Sequence, residues 1–145
     1  MGKLYPPYLE GTIPAFCDSK EGTVLAVPFS MNRAVSKREV AGFYLKLKTL
    51  QSDKYLITLK SLKYDLENQI VYFDLSNFKD KLNIGQFYKI QIAYIEADST
   101  STIGYYSSVG VVKYTSRPNI YIAGLEKNTP NGHSYNYLGC YSQES

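Results

Sequence analysis

Residue types that carry much of protein chemistry are scarce in this chain of 145 residues, which has one histidine, two cysteines and no tryptophan. A single imidazole and two cysteines far apart in sequence give no indication of a Cys–His pair, a Ser–His–Asp set or a zinc site. The lone His133 lies in the turn-like sequence 130–133, where we expect it to be exposed to solvent. We therefore expect a protein that is not an enzyme and that has no metal and no cofactor.

Other site signals are equally sparse. Cys17 and Cys140 are too few for a disulfide scaffold; a bridge between them stays open, and two buried thiols are the simpler interpretation. The ten glycines are dispersed and form no phosphate-binding loop. Asp65 and Glu67 are close enough in sequence to share a site, but they lack the calcium-loop pattern and supporting acids, so a solvated strand end accounts for them.

Long apolar runs and clusters of one charge are also missing. No segment approaches the ~20 apolar residues of a membrane span, and the N-terminus has no apolar core typical of a signal peptide. Pro6 stands where a myristoylation motif requires Ser or Thr. The net charge of +3 is spread along the chain, and its densest basic stretch is Arg33, Lys37 and Arg38 in a polar loop. We expect a soluble protein made in a cytoplasm, with neither nucleic acid nor membrane as a partner.

Tyrosine, in contrast, is abundant, with fifteen copies. It favours strands, and its ring with a polar tip also suits interfaces. We interpret most of these tyrosines as strand residues. Apolar residues recur at every second position from residue 12 onward, which is typical of strands. The residues predicted to share the apolar face of their strand are Leu25, Val27, Phe29, Phe43, Leu45, Leu47, Tyr55, Ile57, Leu59, Val71, Phe73, Leu75, Tyr88, Ile90, Ile92 and Tyr94, and the opposite face holds Tyr44, Lys46, Lys48, Lys89 and Gln91.

The spacing of these runs predicts six or seven short strands, including a hairpin of 43–48 with 55–59 and a strand over 105–115. Pro28 indicates a strand end or an edge strand, and 78–84 has room for a short helical turn. We predict an all-β sandwich over residues 12–118 with an extended N-terminal arm over 1–11. For residues 119–145 we predict a C-terminal strand pair. It packs on the first domain, pairs with another chain or, in the interpretation that we favour, starts a second domain.

Residues 82–94, with the sequence LNIGQFYKIQIAY, resemble the corner before the F strand of fibronectin type III domains. Leu82, Gly85 and Tyr88 occupy the positions of that family's pattern. The resemblance implies an immunoglobulin- or fibronectin-type-III-like sandwich in which the Tyr88 hydroxyl bonds the backbone a few residues upstream, forming a tyrosine corner. The family's strand B tryptophan is missing, so the subtype of the sandwich stays open.

The stretches 4–16, 27–36 and 82–88 also resemble the N-terminal region of structural proteins of tailed bacteriophages from gut bacteria. In such proteins, fibronectin-like domains build tail, baseplate or fibre parts. The resemblance implies a non-enzymatic virion component that contacts other virion proteins or copies of itself as a homo-oligomer. The alternative is an extracellular recognition module that binds a glycan or a surface protein.

Both hypotheses place function on exposed residues rather than in a catalytic site. The arm and the unpaired sheet edges are candidates for contacts with neighbouring subunits, and loop 30–39 for a polar rim. Tyr105 and Tyr106 are the best candidates for stacking on sugar rings, although neighbours on a strand point to opposite faces, which predicts that one of the two is core. The complete candidate interaction surface is Tyr5, Tyr8, Arg33, Lys37, Arg38, Tyr105 and Tyr106.

Overall fold

The structure is a computed structural model, and it describes residues 3–9, 15–19, 22–97 and 103–114, with the backbone alone for 15–19. Within these ranges the chain forms eight strands and one 3-10 helix. In chain order they are β1 (Ala15–Ser19), β2 (Gly22–Pro28), β3 (Val40–Thr49), β4 (Ile57–Lys60), β5 (Lys63–Asp65), β6 (Ile70–Asp74), the 3-10 helix (Ser76–Lys81), β7 (Phe87–Glu96) and β8 (Gly110–Lys113).

The strands pair into two antiparallel sheets of four strands each. The first sheet has the order β1-β2-β6-β5, and the second has the order β4-β3-β7-β8. The chain crosses from one sheet to the other three times, between β2 and β3, between β4 and β5 and between β6 and β7. The predicted all-β, sandwich-like fold is confirmed.

The core contains the inward-facing residues of both sheets, as the period of two predicts. Leu45 of β3 lies directly opposite Ile92 of β7, and both side chains are fully buried. In the first sheet, Leu25 of β2 lies opposite Phe73 of β6 and both are again fully buried. Each such side chain contributes on the order of 1.5–3 kcal/mol through its removal from water. These apolar residues therefore fix which face of each strand is internal.

One predicted strand is wrong in extent, because β8 covers only Gly110–Lys113 of the expected 105–115. The residue responsible is Ser107. Its N–H donates to the Ile92 carbonyl at 2.7 Å, but its hydroxyl, rather than its carbonyl, accepts the Ile92 N–H at 3.0 Å. The Ser107 carbonyl instead accepts a bond from the Gln91 amide at 2.8 Å. The segment 104–109 therefore follows β7 without forming a regular ladder.

Smaller predictions have mixed outcomes. Pro28 ends β2, and the predicted helical turn is present as the 3-10 helix, which begins two residues earlier than expected. The short strand β5 was not predicted. The predicted strands within 119–145, His133 and Cys140 lie outside the described residues, and the side chain of Cys17 does as well. Among the described helices, none has the length and apolar character needed to cross a membrane.

Candidate binding surface

The tyrosine corner at the start of β7 holds together the second sheet and the segment before it. The Tyr88 side chain is fully buried, and its hydroxyl accepts the Asn83 N–H at 2.7 Å. Leu82 is buried in the core, and Gly85 has a φ of 91°, a conformation that favours glycine. The N–H of Gly85 donates to the Tyr114 carbonyl at 2.7 Å. These residues stabilise the fold and leave no reactive group exposed.

The described part of the N-terminal arm, residues 3–9, packs on its own sandwich. Tyr8 and Ser30 exchange two backbone hydrogen bonds of 2.9 Å. The Asn32 side chain holds the arm at a second point, accepting the Tyr5 N–H and donating to the Lys3 carbonyl, both at 2.8 Å. These bonds fix the arm along the loop that joins β2 to β3.

Two further contacts join the arm to the core. Leu9 is only 3% exposed and belongs to the main apolar cluster, and its N–H donates to the Ser108 hydroxyl at 3.1 Å. The Tyr94 hydroxyl donates to the Leu4 carbonyl at 3.3 Å. That the arm also contacts a neighbouring subunit stays a prediction, and such a contact has to use the side of the arm that faces away from the sandwich.

A cleft of about 510 Å³ opens between the arm, the start of loop 30–39 and the segment before β8. We call it the arm cleft. It brings together three of the predicted interaction residues, since Tyr5 is 57% exposed, Tyr8 is 47% exposed and Tyr106 is half-buried. The lining is Tyr5, Pro6, Pro7, Tyr8, Ser30, Met31, Asn32, Tyr106 and Ser108. Apolar walls edged by hydroxyl and amide groups suit the insertion of a side chain from another molecule.

Neither tyrosine of the pair 105–106 is core, so that prediction is wrong. Tyr105 is 85% exposed and lines a different hollow, while Tyr106 packs on the outer face of the second sheet. The reason is the irregular backbone of 104–109, which does not alternate between the two faces as a strand does. Burial raises the pKa of Tyr106, and the nearby Tyr44 and Tyr55 add to the effect.

The outer face of β3 carries a cluster of lysine and tyrosine side chains. The ammonium group of Lys46 lies 3.9 Å from the ring centroid of Tyr106 and 4.9 Å from that of Tyr55. The Tyr55 hydroxyl and the side-chain carbonyl of Gln91 are joined by a 3.0 Å hydrogen bond. Cation–π contacts of this kind hold Lys46 in place between two segments of the chain.

The basic residues of loop 30–39 do not join the tyrosines of the arm cleft. Arg33 forms a two-pronged ion pair with Glu39, with N–O distances of 2.5 and 3.1 Å, and the Ser36 N–H donates to the same carboxylate. The guanidinium of Arg33 and the bonds from Ser36 lower the pKa of Glu39 to about 2. Arg33 therefore stabilises the loop. Lys37 and Arg38 are exposed, and they line two clefts that are distinct from the arm cleft.

The sequence interpretation thus identified four candidate tyrosines, of which the arm cleft brings together three, and basic residues that lie elsewhere. It missed Pro7, Met31 and Asn32 as cleft residues, because their arrangement depends on how the arm packs. It placed Lys46 on the outer face, but it wrongly grouped Tyr55 with Ile57 and Leu59 on the apolar face. β4 begins only at Ile57, so Tyr55 does not follow the alternation, and its ring lies beside Lys46 together with that of Tyr106. In the part of the chain that the structure describes, no group of three or more His, Cys, Asp or Glu side chains is placed to hold a metal ion.

Comparison of the sequence with protein-family models and with curated proteins finds no match.

Proposed function

We propose that this chain is a non-enzymatic structural module of a bacteriophage virion, associated with the tail, which assembles through protein–protein contacts. The observation that carries the proposal is the arm cleft, an exposed concave surface with three tyrosines and a methionine. Tyrosine and methionine are enriched at protein interfaces, where they bury large apolar areas. The partner is another copy of the chain or a second virion protein, and it fills the cleft with an apolar side chain.

We also infer that the sandwich is of the immunoglobulin or fibronectin type III kind. The strand orders β1-β2-β6-β5 and β4-β3-β7-β8 correspond to A-B-E-D and C′-C-F-G in immunoglobulin lettering. The buried Tyr88 lies at the start of β7, the counterpart of strand F, and bonds the backbone five residues upstream. This agreement supports the type of module that the resemblance to phage proteins implies.

Mass spectrometry of purified phage particles tests the virion assignment. We expect peptides of this chain at a constant number of copies per particle, and cross-links from Lys3, beside the arm cleft, to a neighbouring polypeptide. Absence of the chain from purified particles would overturn the assignment.

Sedimentation velocity tests the cleft itself, using the double variant Tyr5→Ser/Tyr8→Ser and the control Tyr105→Ser. The backbone bonds of the arm are kept in both variants. We expect the double variant to lose assembly with its partner and the control to keep it, since Tyr105 is not part of the cleft. Equal loss in the two variants would contradict a specific role for the arm cleft.

A further inference from the structure

The outer face of the second sheet carries five lysines. Lys46 and Lys48 alternate with buried residues of β3, and Lys89 lies between the buried Tyr88 and Ile90 of β7. On the two flanking strands, Lys60 and Lys113 also point outward, since Lys60 pairs with the outward Tyr44 and Lys113 follows the buried Val112. The set is Lys46, Lys48, Lys60, Lys89 and Lys113.

The register of the sheet arranges these lysines as one diagonal row, which we call the lysine stripe. Lys48 lies directly opposite Lys89, at about 5 Å between Cβ atoms. Lys46 lies about 7 Å further along β3, and Lys60 and Lys113 continue the row as diagonal neighbours at about 7–8 Å. The stripe therefore crosses all four strands with a positive charge at every step.

Among the residues that the structure describes, no acidic side chain lies on this face beside the stripe. The other residues on this side of the strands near the stripe are neutral: the exposed or half-buried Tyr44, Thr58, Phe87, Gln91 and Val111, and the buried Ala93. None of the five lysines forms an ion pair with a described residue. Because like charges directly opposite each other destabilise a sheet, the Lys48–Lys89 pair lowers the stability of the fold.

Protection of sheet edges does not explain the arrangement. Lysines on edge strands prevent pairing with other chains, and this accounts for Lys60 on β4 and Lys113 on β8. Lys46, Lys48 and Lys89, however, lie on the two central strands of the sheet. A role in binding accounts for all five.

Aromatic rings hold three of these lysines in place. Lys46 lies over Tyr55 and Tyr106, the ammonium of Lys48 lies 5.3 Å from the ring centroid of Tyr55, and that of Lys113 lies 5.6 Å from the ring centroid of Phe87. A lysine that is already held loses less side-chain entropy when it pairs with an anion. The stripe is thus a partly preorganised row of cations.

We propose that the lysine stripe binds a linear acidic polysaccharide, whose carboxylates pair with successive lysines. The inference goes beyond the proposed function and uses a different surface from the arm cleft. A linear polyanion matches a flat row of charges, and the hydroxyls of Tyr44 and Thr58 supply hydrogen bonds to sugar hydroxyls between the charges.

Two other polyanionic partners fit the stripe less well. A protein interface is depleted in lysine and centred on buried apolar anchors, whereas this face is rich in lysine. Single-stranded nucleic acid stacks its bases on open aromatic faces, but the rings of Tyr55 and Tyr106 already contact lysine ammonium groups.

Isothermal titration of the full chain with polygalacturonate, a linear polyuronate, tests the proposal. We expect binding that weakens steeply between about 0.01 M and about 1 M salt, as the Debye length falls from about 30 Å to about 3 Å. The double variant Lys48→Gln/Lys89→Gln should lose at least about tenfold in affinity. The control Lys37→Gln/Lys81→Gln removes the same charge elsewhere and should change the affinity less than about threefold.

Three further results would contradict either the stripe as the binding site or an acidic polysaccharide as its ligand. Equal losses in the two double variants would show that only net charge matters. Tighter binding of poly-L-glutamate or of oligo(dT), at matched charge, would assign the stripe to a protein or a nucleic acid instead. Absence of binding of the wild-type chain to polygalacturonate at low salt would overturn the proposal. If the wild type binds, Lys48→Arg/Lys89→Arg, which keeps both charges, should bind with nearly the same affinity.

Discussion

The two faces of the second sheet are formed by the same strands but differ in composition and in their effect on stability. The inner face of β3 and β7 is apolar and completely buried, with Leu45 opposite Ile92. On the outer face of the same two strands, Lys46 lies opposite Gln91 and Lys48 lies opposite Lys89. The inner face contributes to stability in nearly every pair, whereas the outer face includes a pair that opposes it.

This difference separates the residues that stabilise the fold from the exposed residues that are available to bind other molecules. A residue that stabilises the fold needs no further explanation, but a repulsive pair at the centre of a sheet does. The predictions below therefore ask whether substitutions on the two faces have opposite effects on stability.

The largest effect is expected on the inner face. Leu45→Ala should lower the free energy of unfolding by about 2–5 kcal/mol, because it removes buried methyl groups and leaves a cavity. Thr58→Ala, at an exposed outward position of β4, should change it by less than about 0.5 kcal/mol. Urea unfolding measures both, and a small effect of Leu45→Ala would contradict the assignment of the inner face.

The tyrosine corner should have the next largest effect. Tyr88→Phe removes the acceptor of the Asn83 N–H and should cost about 1–2 kcal/mol. Tyr94→Phe is the matched control, because its hydroxyl makes a longer bond of 3.3 Å to the Leu4 carbonyl and should cost less than about 0.5 kcal/mol. Thermal unfolding of the two variants compares them, and equal losses would argue against a special role for the corner.

The outer face should respond in the opposite direction. Lys89→Gln is expected to raise the free energy of unfolding by a few tenths of a kcal/mol and by at most about 1 kcal/mol, because it removes the repulsion with Lys48 and keeps the contact between Lys48 and the Tyr55 ring. Lys81→Gln, outside both sheets, should leave it unchanged, and high salt should reduce the gain. A loss of stability in Lys89→Gln would show that the pair is not repulsive.

The smallest effect concerns pH and loop 30–39, which joins the two sheets. Because Arg33 lowers the pKa of Glu39 from 4.5 to about 2, the ion pair stabilises the folded state above pH 4.5 and is lost as the pH falls toward 2. The melting temperature of Glu39→Gln should be below that of the wild type at pH 6 and should meet it near pH 2. A constant difference across this range would contradict the shift.

Much of the fold could be predicted from the sequence, because alternation alone identifies the buried face of a long strand. The inward residues of β3 and β7 follow from the spacing of apolar residues. The hydrogen bond of Tyr88 was expected from the resemblance of residues 82–94 to fibronectin type III domains. β5 could not be predicted in this way, since three residues are too few to show a period.

The binding surfaces were harder to predict. The irregular segment 104–109 depends on the Ser107 hydroxyl taking the place of a backbone carbonyl, which no pattern of apolar residues reveals. Similarly, the sequence places Lys48 and Lys89 on outward positions, but only the strand register brings them opposite each other. Surfaces that combine distant segments therefore need the structure.

The most direct test of this division between the two faces is a titration of the ¹⁵N-labelled chain with oligogalacturonate, followed by amide chemical shifts. The account predicts that the shifted amides cluster around Lys46, Lys48, Lys60, Lys89 and Lys113, and that those of the arm cleft stay in place. Shifts confined to the arm cleft, or no shifts at low salt, would contradict it.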